Sequence, residues 1–174
     1  SGTLTFTTAE NMFGVDDSIM IKLVDEGTFN NSDLLDYSFK ITIDGVNDPP
    51  AFAFNGSSNI ILLEDQFGED QDGNSLPVSL GVILGDAPFG ENDEEITWSI
   101  NPENALYNQY EFADISINSS TGLVTIYEIS NGNGLLEFTV TAIDNGDTLN
   151  NGINYFSDSF SLLIDPLNDP PQLA

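Results

Sequence analysis

The chain contains no cysteine, no histidine and no arginine, and its only cationic side chains are Lys22 and Lys40. Without cysteine there can be no disulfide and no thiol nucleophile. Stability has to come from a core and from bound ions. Without histidine there is no imidazole base, and the soft or borderline ligands that favour zinc and copper are missing. Without arginine there is no guanidinium clamp for an anion, and two lysines cannot neutralise a phosphate backbone or an anionic lipid surface. Nucleic acid and membrane surfaces are therefore excluded as partners. No run of about 18 apolar residues is present, so no membrane-spanning helix and no membrane insertion are expected. The chain opens Ser1-Gly2-Thr3 with no charged-then-apolar leader and reads as an excerpt of a longer polypeptide.

Acid fills the space left by these absences. Asp and Glu number 29, giving a formal net charge of -27. Hydrophobic residues still make up 40% and aromatics 10%, enough for a packed core and too much for a disordered acidic tail. Carboxylates, amide oxygens and backbone carbonyls are hard donors, which suit Ca²⁺ or Mg²⁺. A purely acidic spacer, charged only for solubility, is the plainer reading of the same composition.

One segment occurs twice. Ile43-Asp44-Gly45-Val46-Asn47-Asp48-Pro49-Pro50 returns as Ile164-Asp165-Pro166-Leu167-Asn168-Asp169-Pro170-Pro171, an offset of 121 residues. That period is a whole domain, since solenoid units repeat every ~20–50 residues. The match extends backwards. Phe39, Ile41 and Ile43 pair with Phe160, Leu162 and Ile164; Ile19, Ile21, Leu23 and Asp25 pair with Phe138, Val140, Ala142 and Asp144; Leu4 and Phe6 pair with Val124 and Ile126. Each set alternates with polar residues, the period of strands that bury one face. Further strands are expected at Ile60–Leu63, Val78–Leu84, Ile96–Ile100 and Asp114–Ile117, making seven in the complete unit. Asp72-Gly73-Asn74, Asn131-Gly132-Asn133-Gly134 and Asn145-Gly146-Asp147 punctuate them as turns.

The pattern predicts an all-β fold of immunoglobulin-like Greek-key β-sandwich domains in tandem. Residues 1–48 are expected to supply the last three strands of an incomplete unit, completed by upstream sequence. Residues 49–171 form the complete seven-stranded unit, and 172–174 begin the next repeat.

Four segments, in order, resemble the cadherin-like tandem repeats of large bacterial surface adhesins. Ile96-Thr97-Trp98-Ser99-Ile100 is similar to the family's "itYSI" strand. Ile115-Ser116-Ile117 with Thr121-Gly122-Leu123-Val124 is similar to "F.ID..TG.I", and Glu137 to Asp144 to "y.LtV.AtD". The Asn-Asp-Pro-Pro junctions resemble the linker "DxNDNxP". The linker here carries one extra residue after its first Asp, and Pro stands for the second Asn. Pro88 occupies the position of the second Asp in the family's "DxD".

The resemblance implies an extracellular, cell-surface adhesion repeat with Ca²⁺ as cofactor and neighbouring repeats of the same polypeptide as partners. At the first junction it implies Asp44, Asn47 and Asp48 from the linker, with Asp86, Asn92 and Asp144 from the following domain, as metal ligands. At the second it implies Glu64 with Asp165, Asn168 and Asp169. Asp25 would serve a junction preceding Ser1, and one or two ions per junction are expected. The acidic loop Glu69-Asp70-Gln71-Asp72-Gly73-Asn74 lacks the spacing of an EF-hand and reads as a solvated turn.

Two rival functions remain on the sequence. A carbohydrate-binding module would use exposed aromatics, with Tyr107 and Tyr110 the best placed, because Trp98 falls where the strand motif puts a core aromatic. A homophilic, glycan or other cell-surface partner belongs to the same adhesive reading. Catalysis would need two carboxylates across a sugar-sized cleft, which a small sandwich with short loops rarely builds, so no enzyme is expected. Lys22 and Lys40 fall on the outward beats of their strands and cannot supply a buried isopeptide crosslink.

Overall fold

The computed structural model describes residues 2–23, 35–65, 67–68, 71, 76–86, 91, 94–103 and 113–171. Asp25, Pro88, Asn92, Tyr107, Tyr110, residues 172–174 and all of the 69–74 loop but Gln71 lie outside the described residues. The chain divides into two compact units, Ser1–Val46 and Asn47–Ala174. Among the described residues no helix is long and apolar enough to cross a membrane.

The second unit is a two-layer sandwich. We number its strands β3 (Phe52–Asn55), β4 (Asn59–Leu63), β5 (Val78–Leu84), β6 (Thr97–Pro102), β7 (Ala113–Ile117), β8 (Val124–Glu128), β9 (Gly134–Ile143) and β10 (Tyr155–Asp165). One sheet has the order β3-β5-β8-β7 and the other β4-β10-β9-β6. Every pairing is antiparallel except β4 with β10. This is the immunoglobulin-type Greek key, with the first strand split so that one half joins each sheet. The split falls at Gly56, whose φ of +129° an L side chain rarely adopts.

Alternation dictates the core. In β9, Leu136, Phe138, Val140 and Ala142 are buried, while Leu135, Glu137 and Ile143 on the opposite face are exposed. In β10, Phe160, Leu162 and Ile164 face the same interior. Phe138 stacks on Phe160 with centroids 5.3 Å apart. Trp98 is buried edge-on to Phe52 at 5.0 Å and closes over Gly122, where an added Cβ would lie 2.8 Å from the indole. Burying each such side chain is worth about 1.5–3 kcal/mol. With its ring inside, Trp98 cannot be a sugar platform.

All seven strands expected between the junctions form. β3 was not among the strands expected; Phe52-Ala53-Phe54 follows Pro49-Pro50-Ala51 and is too short to show a period of its own. It becomes a strand through tertiary pairing with β5, registering Phe52 with Leu84.

The first unit is a hairpin of β1 (Gly14–Leu23) and β2 (Leu35–Ile43). Ile19 pairs with Phe39, as Phe138 pairs with Phe160 in the second unit, so the register follows the sequence alignment of the two units, at an offset of 119 residues in the first strand and 121 in the second. The strand expected at Leu4 and Phe6 does not form. Residues 2–9 carry no strand, and the two side chains are 52% and 62% exposed. An alternating run becomes a strand only when a neighbour supplies hydrogen bonds and a cover, and this unit has no buried residue among those described. Lys22 and Lys40 are exposed.

Candidate metal sites at the two ends of the sandwich

Asp144 directly follows β9, where the chain leaves the core and turns toward β10. Its backbone N–H donates to the carbonyl of Asn154 across the loop, which holds the side chain at the mouth of the sandwich. The residue is only 5% exposed. Oδ1 accepts from the Gly146 N–H at 3.0 Å and from Asn47 Nδ2 at 3.2 Å. Oδ2 is buried with no hydrogen-bond partner.

Glu91 repeats this arrangement from another segment. Its Oε1 accepts from the Asp48 N–H at 3.1 Å, and its Oε2 is buried without a partner. The segment is fixed by Glu94 N–H to the Glu91 carbonyl and by Glu95 N–H to Asn145 Oδ1. A backbone bond from Gly85 N–H to the Ala51 carbonyl, 2.8 Å, brings the end of β5 alongside and delivers Asp86.

These parts enclose a cavity of about 150 Å³ lined by five acids, Asp48, Asp86, Glu91, Glu94 and Asp144, with Pro49, Pro50 and Ile96 among the apolar walls. No cationic residue lines it. An ionised carboxylate withdrawn from water and left unpaired costs several kcal/mol. Two buried oxygens here have no hydrogen-bond partner, each on a carboxylate whose other oxygen accepts from an N–H group. The Glu94 carboxyl is pushed above its ordinary 4.5, first by partial burial and then by the negative charges of Asp144 and Glu91. Each of these features opposes the folded state unless positive charge enters the cavity.

The donors are all oxygen, the chemistry that a hard divalent cation takes, but no three of the five carboxylates hold oxygens within 4.8 Å of one another, as Glu64, Asp65 and Asp169 do at the other end. Ca²⁺ takes about six to eight oxygens and tolerates irregular geometry. Five carboxylates offer enough oxygens without nitrogen or sulfur. Of the residues implied for this end, the structure brings Asp48, Asp86 and Asp144 together around one cavity. Asn47 lies beside them, but its amide is engaged by Asp144 and by the Ile153 carbonyl at 2.7 Å. Asp44 is exposed and belongs to the first unit, and Asn92 is outside the described residues. Glu91 and Glu94 were not anticipated. Their only signal was charge density in Glu91-Asn92-Asp93-Glu94-Glu95, a segment with no strand period.

The other end of β9 carries a second cluster. Glu64, following β4, is 3% exposed, and its carboxylate accepts from the Leu167 N–H at 3.0 Å and from Asn133 Nδ2 at 3.3 Å. Carboxylate oxygens of Glu64, Asp65 and Asp169 lie within 4.8 Å of one another. Glu64 and Asp169 were expected together; Asp65 was not, since it sits in the turn after the strand. The Asp165 carbonyl accepts from the Glu64 N–H, and the Asn168 amide donates to the Asp169 carbonyl at 3.2 Å. Neither Asp165 nor Asn168 is part of the carboxylate cluster.

No family model matches the chain, and no curated protein matches it. Among solved structures it is similar to the PKD domain of human KIAA0319, at 15% identity and a TM-score of 0.40, covering 74% of this chain and 92% of that one. It is also similar to human CDH23 EC21-23, at 16% identity and a TM-score of 0.41. That likeness covers 86% of this chain and 46% of the other.

Proposed function

We propose that this chain is a calcium-binding structural repeat of a long extracellular adhesion-type protein, stiffened where one sandwich follows another. The observation that carries the reading is the pair of buried, unpartnered oxygens, Asp144 Oδ2 and Glu91 Oε2, in one acid-lined cavity. A cation there supplies the missing partner for both.

Asp48, Asp86, Glu91, Glu94 and Asp144 are the proposed ligands at this end, with Asp44 and Asn92 available from neighbouring sequence. Glu64, Asp65 and Asp169 form the acidic core of the opposite end, joined by Asp165 and Asn168 of the second linker. A following repeat would complete it. The mechanism is electrostatic. Clustered carboxylates repel at separations shorter than the ~8 Å screening length of physiological salt, and a divalent ion reverses the sign of that interaction. Strands, linker and loops that otherwise repel then share one charge.

Calorimetric titration with small-angle scattering of the full chain tests the reading. Binding at about 10⁻⁴ to 10⁻³ M, typical of extracellular modules, is expected. An absence of binding, with shape and melting temperature unchanged by millimolar calcium, would sink it.

A further inference from the structure

Asn47 is held more tightly than a metal ligand on a flexible linker needs to be. Its Nδ2 donates to the Ile153 carbonyl at 2.7 Å and to Asp144 Oδ1 at 3.2 Å, while its own carbonyl accepts from the Ile153 N–H at 2.9 Å. With the Asp48 carbonyl at 3.3 Å, three acceptors face one amide nitrogen and fix which way the carboxamide points. The side chain fills a slot made by two glycines of the β9–β10 loop. A Cβ at Gly146 would fall 1.6 Å from Asn47 Oδ1, and one at Gly152 would fall 3.1 Å from Asn47 Cβ and 2.8 Å from the Asp147 carbonyl. The nitrogen of the amide is therefore committed to the loop, and its oxygen is packed against Gly146.

We infer that Asn47 is a latch that anchors the linker to the β9–β10 loop before any cation binds, and that it positions Asp144 rather than contributing a ligand. By donating to Oδ1, together with Gly146, it turns Oδ2 of Asp144 into the cavity. Asn suits this role because it donates. Asp at the same place would set a second acceptor against the Ile153 carbonyl and the Asp144 carboxylate. The cation reading enters only through the task given to Asp144 Oδ2, whereas the latch is tested without calcium.

The experiment is residue-resolved hydrogen exchange by NMR on the full chain in EDTA, followed by calcium titration. The wild-type Ile153 N–H is expected to be protected in EDTA. Asn47→Ala, Asn47→Asp and Gly146→Ala should each speed its exchange by about tenfold to a hundredfold, the range for one or two lost hydrogen bonds. The Trp98 N–H, bonded to the Ser119 carbonyl, should be unaffected and reports that the sandwich is folded. Asp144→Asn should keep Ile153 protected while losing calcium affinity, because its Oδ1 still accepts. Asn47→Asp should not restore the calcium affinity that Asn47→Ala loses. Ile153 protection that appears only on adding calcium, or calcium affinity recovered in Asn47→Asp, would make Asn47 a ligand and overturn the latch. Global unfolding of Asn47→Ala and Gly146→Ala, read at Trp98, would overturn it too. If no variant binds calcium and wild type does not either, while the Ile153 pattern holds, the cation reading fails and the latch stands.

Discussion

Replacing Asp144 by Asn should move stability in opposite directions depending on whether calcium is present. In chelator the wild-type cavity holds Asp144 Oδ2 buried without a partner, next to Glu91, Glu94, Asp48 and Asp86. The substitution keeps the shape and keeps an acceptor for the Gly146 N–H and Asn47 Nδ2. It removes a charge and places a donor where the orphaned oxygen stood, facing carboxylates that can accept. Relieving one unsatisfied buried group is worth about 1–3 kcal/mol. For a unit of this size that raises the melting temperature by about 3–10 °C.

With calcium the order reverses. At a free concentration a hundredfold above a dissociation constant of about 10⁻⁴ M, binding to the native state adds about 2.7 kcal/mol, or roughly 8–10 °C. The variant should forfeit most of that gain. Differential scanning calorimetry in EDTA and in about 10 mM calcium reads both arms, since a hundredfold excess over that constant is this concentration. A variant that melts lower than wild type in EDTA, and gains as much from calcium, would show that Asp144 is a structural cap on the β9 turn and refute the reasoning.

Three further perturbations separate the parts of the molecule. Because the folded Glu94 carboxyl is raised above its ordinary 4.5, the native state binds the extra proton, and stability in chelator should fall as pH rises from about that value through the raised folded value. In Glu94→Gln the fall should be shallower in melts taken across that range, and an identical profile would remove Glu94 from the account. Glu64→Gln should delete one class of calcium site from a calorimetric isotherm and leave the class that depends on Asp144 unchanged; loss of both would mean a single coupled site. Gly122→Ala should cost about 1–3 kcal/mol, roughly 5 °C or more in thermal melts, since φ there is +69° and the new Cβ would lie 2.5 Å from Val82 Cγ2. An unshifted melt would contradict the tight closure of Trp98 over that turn.

The sandwich was legible in the sequence because alternation along β9 and β10 is nearly unbroken and the repeat supplies an internal control on register: Ile19 with Phe39 and Phe138 with Phe160 occupy matching places. Alternation could not say whether a strand has a neighbour. Leu4 and Phe6 satisfy the pattern without forming a strand, and Phe52 and Phe54 form one although two prolines precede them. Asp144 and Asp48 were legible because they recur at the ends of repeated motifs. Glu91, Glu94 and Asp65 occur once, in irregular segments, and come to their clusters only through loop closure. The part played by Asn47 was hidden for a different reason. An Asx residue in a linker looks the same as a ligand or as a latch until the glycines around it are placed in space.

The distribution of charge within the second unit bears on how such repeats act in series. Asp144 directly follows the last residue of β9, and Asn133, which holds Glu64, directly precedes the first. Ten residues of extended chain put about 30 Å between the two clusters. That is several screening lengths in physiological salt, so neither cluster feels the charge state of the other appreciably. On the proposed reading each end can therefore load its cation independently, and β9 with its hydrogen-bonded partner β10 spans the distance between them, the inward residues of both strands being buried. A net charge of -27 spread evenly over the surface would have softened every part of the fold alike. On the proposed reading, carboxylates gathered at the two ends of one well-packed strand add repulsion where the chain enters and leaves the sandwich, so that calcium would act on the joints rather than on the domain.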